Sequence, residues 1–345
     1  MRLKTPPLRK QPVSDQRSEH PEDGMTNQKD DPNPARSLSD HAPLASMPPA
    51  ELSGTASTLG AAFSALGRAG EALAFYEQAL ESYRVNHDRT GEASALASIA
   101  TAHWQRGNIA EAIGYYESVL PIYRALGART SEATTLNCIG LLYDQQDKLD
   151  DALAHYEQAL AILWDTGDKA AEAATLDVIG MAQRRKGDLE AAKQSHEQAL
   201  ALRLAEGDIA GEASTRHGLA MVYDALGDTE KALVYYEWAL GLRRQVGDRA
   251  GEAITCYNLA QVYTRLGHLS EAERLLERTV EIEAMLNHPD TAQDQAELER
   301  LRARRRAQRQ VDWERTTRRH KRLLPSELDP GSTQRHRPAR DEREA

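Results

Sequence analysis

Eleven histidines, two cysteines and many carboxylates supply the groups that acid–base, nucleophilic or metal chemistry would use. Their spacing supports none of these. No two histidines share a helical face with a carboxylate at metal-ligand spacing. Cys138 has no histidine in its own helical segment to generate a thiolate. No glycine-rich loop ends in Gly-Lys-Ser/Thr, so no phosphate cradle is present. The adjacent pair Asp150-Asp151 opens a helical pattern, where the helix dipole accounts for it. We therefore expect no enzyme, no cofactor and no metal, the alternative being a site assembled across distant segments. The residues that remain suit recognition: Trp104, Asn137, Leu141, Asp177, Met181, Arg184, His217, Met221, Tyr257, Asn258 and Gln261, and an arginine set of Arg302, Arg304, Arg305, Arg306 and Arg309.

What groups the first set is a repeat. Residues 51–290 align with themselves six times, without a gap, at a period of forty residues. The copies span 51–90, 91–130, 131–170, 171–210, 211–250 and 251–290. A period of this size means stacked supersecondary units rather than one globular core. With each copy numbered 1 to 40, slot 10 is always Gly or Ala, as in Gly60, Ala100 and Gly140. Slot 13 is mostly aromatic (Phe63, Tyr143, Tyr223, Tyr263), slot 22 is Ala in every copy, and slot 26 is mostly Tyr (Tyr76, Tyr116, Tyr156, Tyr236). Slots 6, 9, 13 and 16 share one helical face, and slots 22, 26, 29, 30 and 33 share another. Each copy is thus two amphipathic helices, with small residues where their backbones approach. Gly at slot 17 turns the chain between them, as at Gly67 and Gly107. Gly-Asp at slots 37 and 38, as in Gly207-Asp208 and Gly247-Asp248, ends the second helix and caps the next. Glu at slot 2 then falls in a first turn, where the dipole favours it.

The small–aromatic–Gly–Ala–Tyr–Ala-Leu spacing resembles the tetratricopeptide repeat, in a longer form of forty residues, and phrases such as GDRAGEA are similar to bacterial arrays. The resemblance covers 51–290. It implies an all-α superhelix of six helix-turn-helix repeats with a C-terminal capping helix, acting as a scaffold or adaptor for a protein or peptide partner. It also implies that the first helices line a concave groove through slots 4, 7, 8, 11, 14 and 15. These slots do not repeat as the packing slots do, so they are free to carry specificity; the plainer alternative is that they vary because nothing contacts them. Leu141, Met181 and Met221 would form an apolar floor suited to an adaptable surface. Trp104 and Tyr257 would be aromatic anchors. Asn137, Asn258 and Gln261 would bond a peptide backbone. A clamp for a chaperone's C-terminal carboxylate would need Lys, Arg and Asn, yet slot 7 holds no Lys or Arg and slot 11 no Asn.

Two departures stand out. Repeat 4 has Gln183, Lys193 and His196 where its neighbours have aromatic or aliphatic groups, which predicts a soft interface and a hinge. Pro121 falls inside a second helix and removes one backbone donor.

Outside the array the composition changes. Residues 1–50 hold nine of the fourteen prolines and no aromatic residue, so they read as disordered. Segment 291–324 reads as a capping helix with an arginine-rich stretch, and 325–345 as a disordered tail. Net charge is −10, with −15 in the array and +5 in 291–345. An acidic body points away from nucleic acid and toward a basic or apolar ligand. Nucleic acid remains an option through the tail alone, where 300–322 carries eleven basic and two acidic residues, making a regulatory or nucleic-acid-associated protein the second functional candidate. That stretch can also fold back on the array. Two well-separated thiols suit a reducing cytoplasm. No apolar run approaches the length of a membrane span.

Overall fold

A computed structural model describes residues 48–323. The proline-rich head up to residue 47 and the tail from residue 324 lie outside the described residues. Among the described residues the chain forms thirteen helices and no strand. Six antiparallel pairs follow one another: α1 (Pro49–Ala65) with α2 (Ala69–Val85), α3 (Arg89–Gln105) with α4 (Ile109–Leu126), α5 (Arg129–Gln145) with α6 (Leu149–Thr166), α7 (Lys169–Lys186) with α8 (Leu189–Glu206), α9 (Ile209–Leu226) with α10 (Thr229–Val246), and α11 (Arg249–Leu266) with α12 (Leu269–Met285). α13 (Thr291–Leu323) packs on α12, where a seventh first helix would stand. Each second helix contacts its own first helix and the first helix of the next repeat. α4 runs on through Pro121.

The small residues at slot 10 are required by contact. A Cβ on Gly60 would lie 2.6 Å from the Tyr76 ring, one on Gly140 2.5 Å from Tyr156, and one on Gly180 2.7 Å from His196. The ring at slot 26 therefore fills a notch in the paired helix. It also reaches slot 8 of the next repeat, as His196 does against Gly218 and Tyr116 does beside Cys138. One side chain thus binds two repeats.

The turns are set by backbone conformation. Slots 17 and 37 hold left-handed residues, such as Gly67 (φ 73°) and Gly167 (φ 72°). Three of these sites lack glycine: His87 (φ 56°), Asp147 (φ 62°) and Asn287 (φ 52°). After slot 37, Asp88, Asp168, Asp208 and Asp248 cap the next helix by accepting the amide of Gly91 (2.9 Å), Ala171 (3.0 Å), Gly211 (2.9 Å) and Gly251 (2.8 Å).

The slot-2 glutamate does more than face a dipole. It is buried and clamped by donors from slots 34 and 39. Glu92 takes Arg84 (3.2 Å) and Arg89 (2.6 Å); Glu132 takes Arg124 (2.7 Å) and Arg129 (2.9 Å). Glu172 takes the Trp164 indole (3.0 Å) and Lys169 (2.7 Å). Glu252 takes Arg244 (2.8 Å), Arg249 (2.9 Å) and Arg278 (3.0 Å). Glu212 alone lacks this clamp, because slots 34 and 39 are the exposed Leu204 and Ile209; it pairs with Arg216 (2.7 Å) on its own helix.

Polar groups also enter the core at this junction. The buried apolar cluster of repeats 3 and 4 runs to Ala199 and that of repeats 5 and 6 begins at Leu219, with Leu200 of α8 packed against the latter and Ala213 buried between them. Hydrogen-bonded polar groups stand beside these apolar contacts. His196 Nδ1 lies 2.9 Å from Asp177 Oδ1, whose other oxygen accepts from Thr215 (2.7 Å). Gln183 accepts from Ser195 (2.8 Å), and Lys193 pairs at the surface with Glu190 (3.2 Å). At the next junction, between repeats 5 and 6, His217 sits between Thr255 and Asn258, each at 3.2 Å, and buried Arg243 donates to Thr255 (2.8 Å) and to the Gly251 carbonyl. Burial, with Arg243, Arg184 and His196 nearby, holds the His217 pKa well below 6.5, so the ring is neutral at neutral pH. The unusual residues of repeat 4 are thus joined by hydrogen bonds, where the sequence alone suggested a plain loss of apolar contact.

Two outcomes follow from this packing. Gly140→Val should lower stability by about 1–3 kcal/mol in chemical denaturation, because Tyr156 occupies the space. Burial alone would raise the Glu252 carboxyl, but hydrogen bonds from Arg278, Arg244 and Arg249 bring it down to about 2. A depressed carboxyl contributes stability above its unfolded pKa of 4.5 and loses it as pH falls toward 2. Glu252→Gln should therefore lower the melting temperature at pH 7 and flatten the acid limb between those two pH values.

Candidate functional site: the inner face of the first helices

First helices of neighbouring repeats touch directly, as in α1–α3, α7–α9 and α9–α11. Hydrogen bonds between repeats also run from first helix to first helix, which puts these helices on the inside of the curve. Two ladders cross these seams. In one, slot 7 reaches slot 5 of the next repeat: Asn137 to Thr175 (2.7 Å), Asp177 to Thr215 (2.7 Å), and His217 to Thr255 (3.2 Å). In the other, slot 14 meets slot 15 of the next repeat: Ser64 with Gln105 (3.0 Å), Trp104 with Gln145 (3.0 Å), Asp144 with Arg185, and Asp224 with Arg265.

These ladders divide the candidate residues. Trp104, Asn137, Leu141, Asp177, Met181 and Arg184 are half-buried, each presenting part of its side chain to the inner face. His217, Met221, Tyr257, Asn258 and Gln261 are buried. For these five the expectation of an open groove fails on packing grounds. Met221 belongs to the core of the last repeats, and His217 and Asn258 (0% exposed) bond each other across the α9–α11 seam. Tyr257 and Gln261 are covered by α13, where Glu297 accepts from the Tyr257 hydroxyl (3.1 Å) and the Gln261 amide (2.5 Å). The floor accessible to a ligand is therefore Leu141 and Met181.

Sequence reasoning missed the ladders. A signal was present: slot 5 is Thr in repeats 3 to 6, and Asp144/Arg185 and Asp224/Arg265 repeat one charge pair at one spacing.

The arginine set divides as well. Arg302 pairs with Glu273 (3.3 Å), Glu277 (2.7 Å) and Glu299 (2.7 Å), and Arg305 with Glu273 (2.6 Å). Arg305 and Arg302 hold the Glu273 carboxyl below the usual range. Arg306 and Arg309 join them around a cavity of about 150 Å³, while Arg304 is exposed. The thiols are poor nucleophiles: burial raises Cys138 and pushes Cys256 up to about 11. Among the described residues no group of three or more His, Cys, Asp or Glu is arranged to hold a metal ion. No helix there is long and apolar enough to cross a membrane.

The sequence profile described as Tetratricopeptide repeat matches residues 51–125, 131–205 and 211–283, more than half of the chain. The chain belongs to the tetratricopeptide repeat family. Solved structures agree on the fold. BtubC (BKLC) from P. vanneervenii is 23% identical with a TM-score of 0.56, over 62% of this chain and 91% of that one. A Signal Transduction ATPase with Numerous Domains carrying a tetratricopeptide repeat sensor, from Pyrococcus horikoshii, is 18% identical with a TM-score of 0.60, over 73% and 40%. A Rap protein complexed with Competence and Sporulation Factor is 18% identical with a TM-score of 0.52, over 72% and 74%. No curated protein sequence matches the chain. These tetratricopeptide repeats are superhelical, all-α and of a kind that generally serves protein–protein interaction.

The closed end of the inner face has its own test. Glu297→Ala leaves the Tyr257 hydroxyl and the Gln261 amide without this acceptor and should cost about 1–3 kcal/mol in thermal unfolding. Glu299→Ala, which removes a surface pair, should cost less than about 1 kcal/mol.

Proposed function

We propose that this tetratricopeptide repeat protein is a non-catalytic scaffold that holds a peptide or helix along the inner face of repeats 2 to 4. The observation that carries this reading is the contrast between repeats. Slot 11 keeps Leu141 and Met181 partly open in repeats 3 and 4, while Met221 and Gln261 in repeats 5 and 6 are buried. Trp104 stands at one end of that floor, its indole fixed by Gln145, and Arg184 stands at the other. A short apolar strip with an aromatic and a cation at its ends suits an extended or helical segment with spaced anchors. The Rap protein named above was solved with Competence and Sporulation Factor, which supports ligand binding by a related fold.

A second reading assigns function to the arginines of α13, acting as a nucleic-acid or regulatory element. The cavity beside Glu273, with four arginines around it, favours that reading. The two can be separated with the full chain as bait. Removing everything after residue 290 would not serve, because Leu298 and Leu301 of α13 are buried in the core. We expect Trp104→Ala combined with Met181→Asp to abolish retention of a partner, and Arg306→Glu combined with Arg309→Glu to leave it intact. The reverse result, with retention lost at moderate salt, transfers the function to the tail.

A further inference from the structure

One rung of the inner ladder is missing. Between repeats 4 and 5, slot 14 is Arg184 and the slot facing it is Ala225, which offers no acceptor. Every other step between repeats 1 and 6 is closed by a hydrogen-bonded pair. The Arg184 side chain makes no hydrogen bond or ion pair among the described residues, although burial is the leading influence on it and lowers its pKa. Asp144 on the adjoining seam is already held by Arg185. Near Arg184 lies Tyr236, 0% exposed, whose hydroxyl has no hydrogen-bond partner and feels Asp224, itself paired with Arg265, as well as the Arg184 charge. A partly desolvated guanidinium without an anion is costly, and each of its neighbours in the ladder has avoided that cost.

Resting on the proposed groove, we propose that the open rung at Arg184 is a subsite for one side-chain carboxylate of the partner segment. The guanidinium offers a fork of N–H donors that a carboxylate accepts in pairs. The array carries a net charge of −15, so it repels acidic segments in general. A single acid received at this one point fixes the register of a segment that is otherwise apolar or basic. Arg184 lies three residues from Met181 on α7, one helical turn along the same face, so the acid lies next to an apolar anchor.

The test selects random linear peptides, displayed without a free C-terminus, on the full chain and on Arg184→Met. The wild-type chain should enrich peptides with Asp or Glu at one fixed position, and Arg184→Met should lose that preference alone. For one enriched peptide, Arg184→Met should weaken binding about tenfold to a hundredfold. Changing the peptide's acid to its amide should cost the wild type as much and the variant nothing. Enriched peptides without a fixed acid, or equal losses for acid and amide, overturn the subsite and leave the groove standing. Absence of any enriched peptide overturns both. Thermal unfolding gives an independent check. Arg184→Met and Ala225→Glu should each raise the melting temperature, the first by removing the unpaired charge and the second by completing the rung, and Ala225→Glu should also weaken the acidic peptide. Arg185→Met should lower it. A fall for Arg184→Met like that for Arg185→Met would mean an internal partner exists, and the inference fails.

Discussion

The array depends on one contact made again and again: a ring at slot 26 seated in the notch left by a small residue at slot 10. Gly60 with Tyr76, Gly140 with Tyr156 and Gly180 with His196 show how little room remains. Because the ring also meets slot 8 of the next repeat, this contact fixes both the pairing within a repeat and the step to the next one. The rest of the architecture follows from that step. Slot-2 glutamates such as Glu132 reach donors of the preceding second helix, and inner-face side chains such as Asn137 meet a counterpart about forty residues on, only because the step is constant.

Most of this was legible in the sequence. Packing slots repeat because their surroundings repeat, so period, helix boundaries, capping aspartates and left-handed glycines could all be read from side-chain type and spacing. The inner face was less legible for a physical reason. Whether Met181 is open and Met221 closed depends on what the neighbouring helix places over it, which no property of methionine encodes. Tyr257 and Gln261 show the same limit: their burial is decided by Glu297, in a helix outside the repeat. The glutamate clamps were visible only as a dipole preference, although their arginine partners stood at constant slots.

The junction of repeats 4 and 5 gathers the exceptions. His196 replaces tyrosine, Leu204 and Ile209 replace the clamp, Ala225 leaves a rung open, and hydrogen-bonded polar groups stand where apolar ones pack elsewhere. Changes at the inner face, in the core and at the outer surface thus coincide at one seam. Apolar packing is tolerant of small displacements, whereas buried hydrogen bonds need their partners at fixed distance and angle. The seam is accordingly held in one specific geometry by groups that lose most when it shifts.

The missing clamp and open rung at that seam have a mechanical consequence. A solenoid behaves as elements joined in series, each bonded to its neighbours alone, so tension applied at its ends is felt equally at every junction. Every other junction carries both a glutamate clamp and a closed inner rung. The junction of repeats 4 and 5 has neither, since Glu212 pairs within its own helix and Arg184 faces Ala225. Pulled from both ends, this molecule should part first there, with four repeats on one side and two with their capping helix on the other.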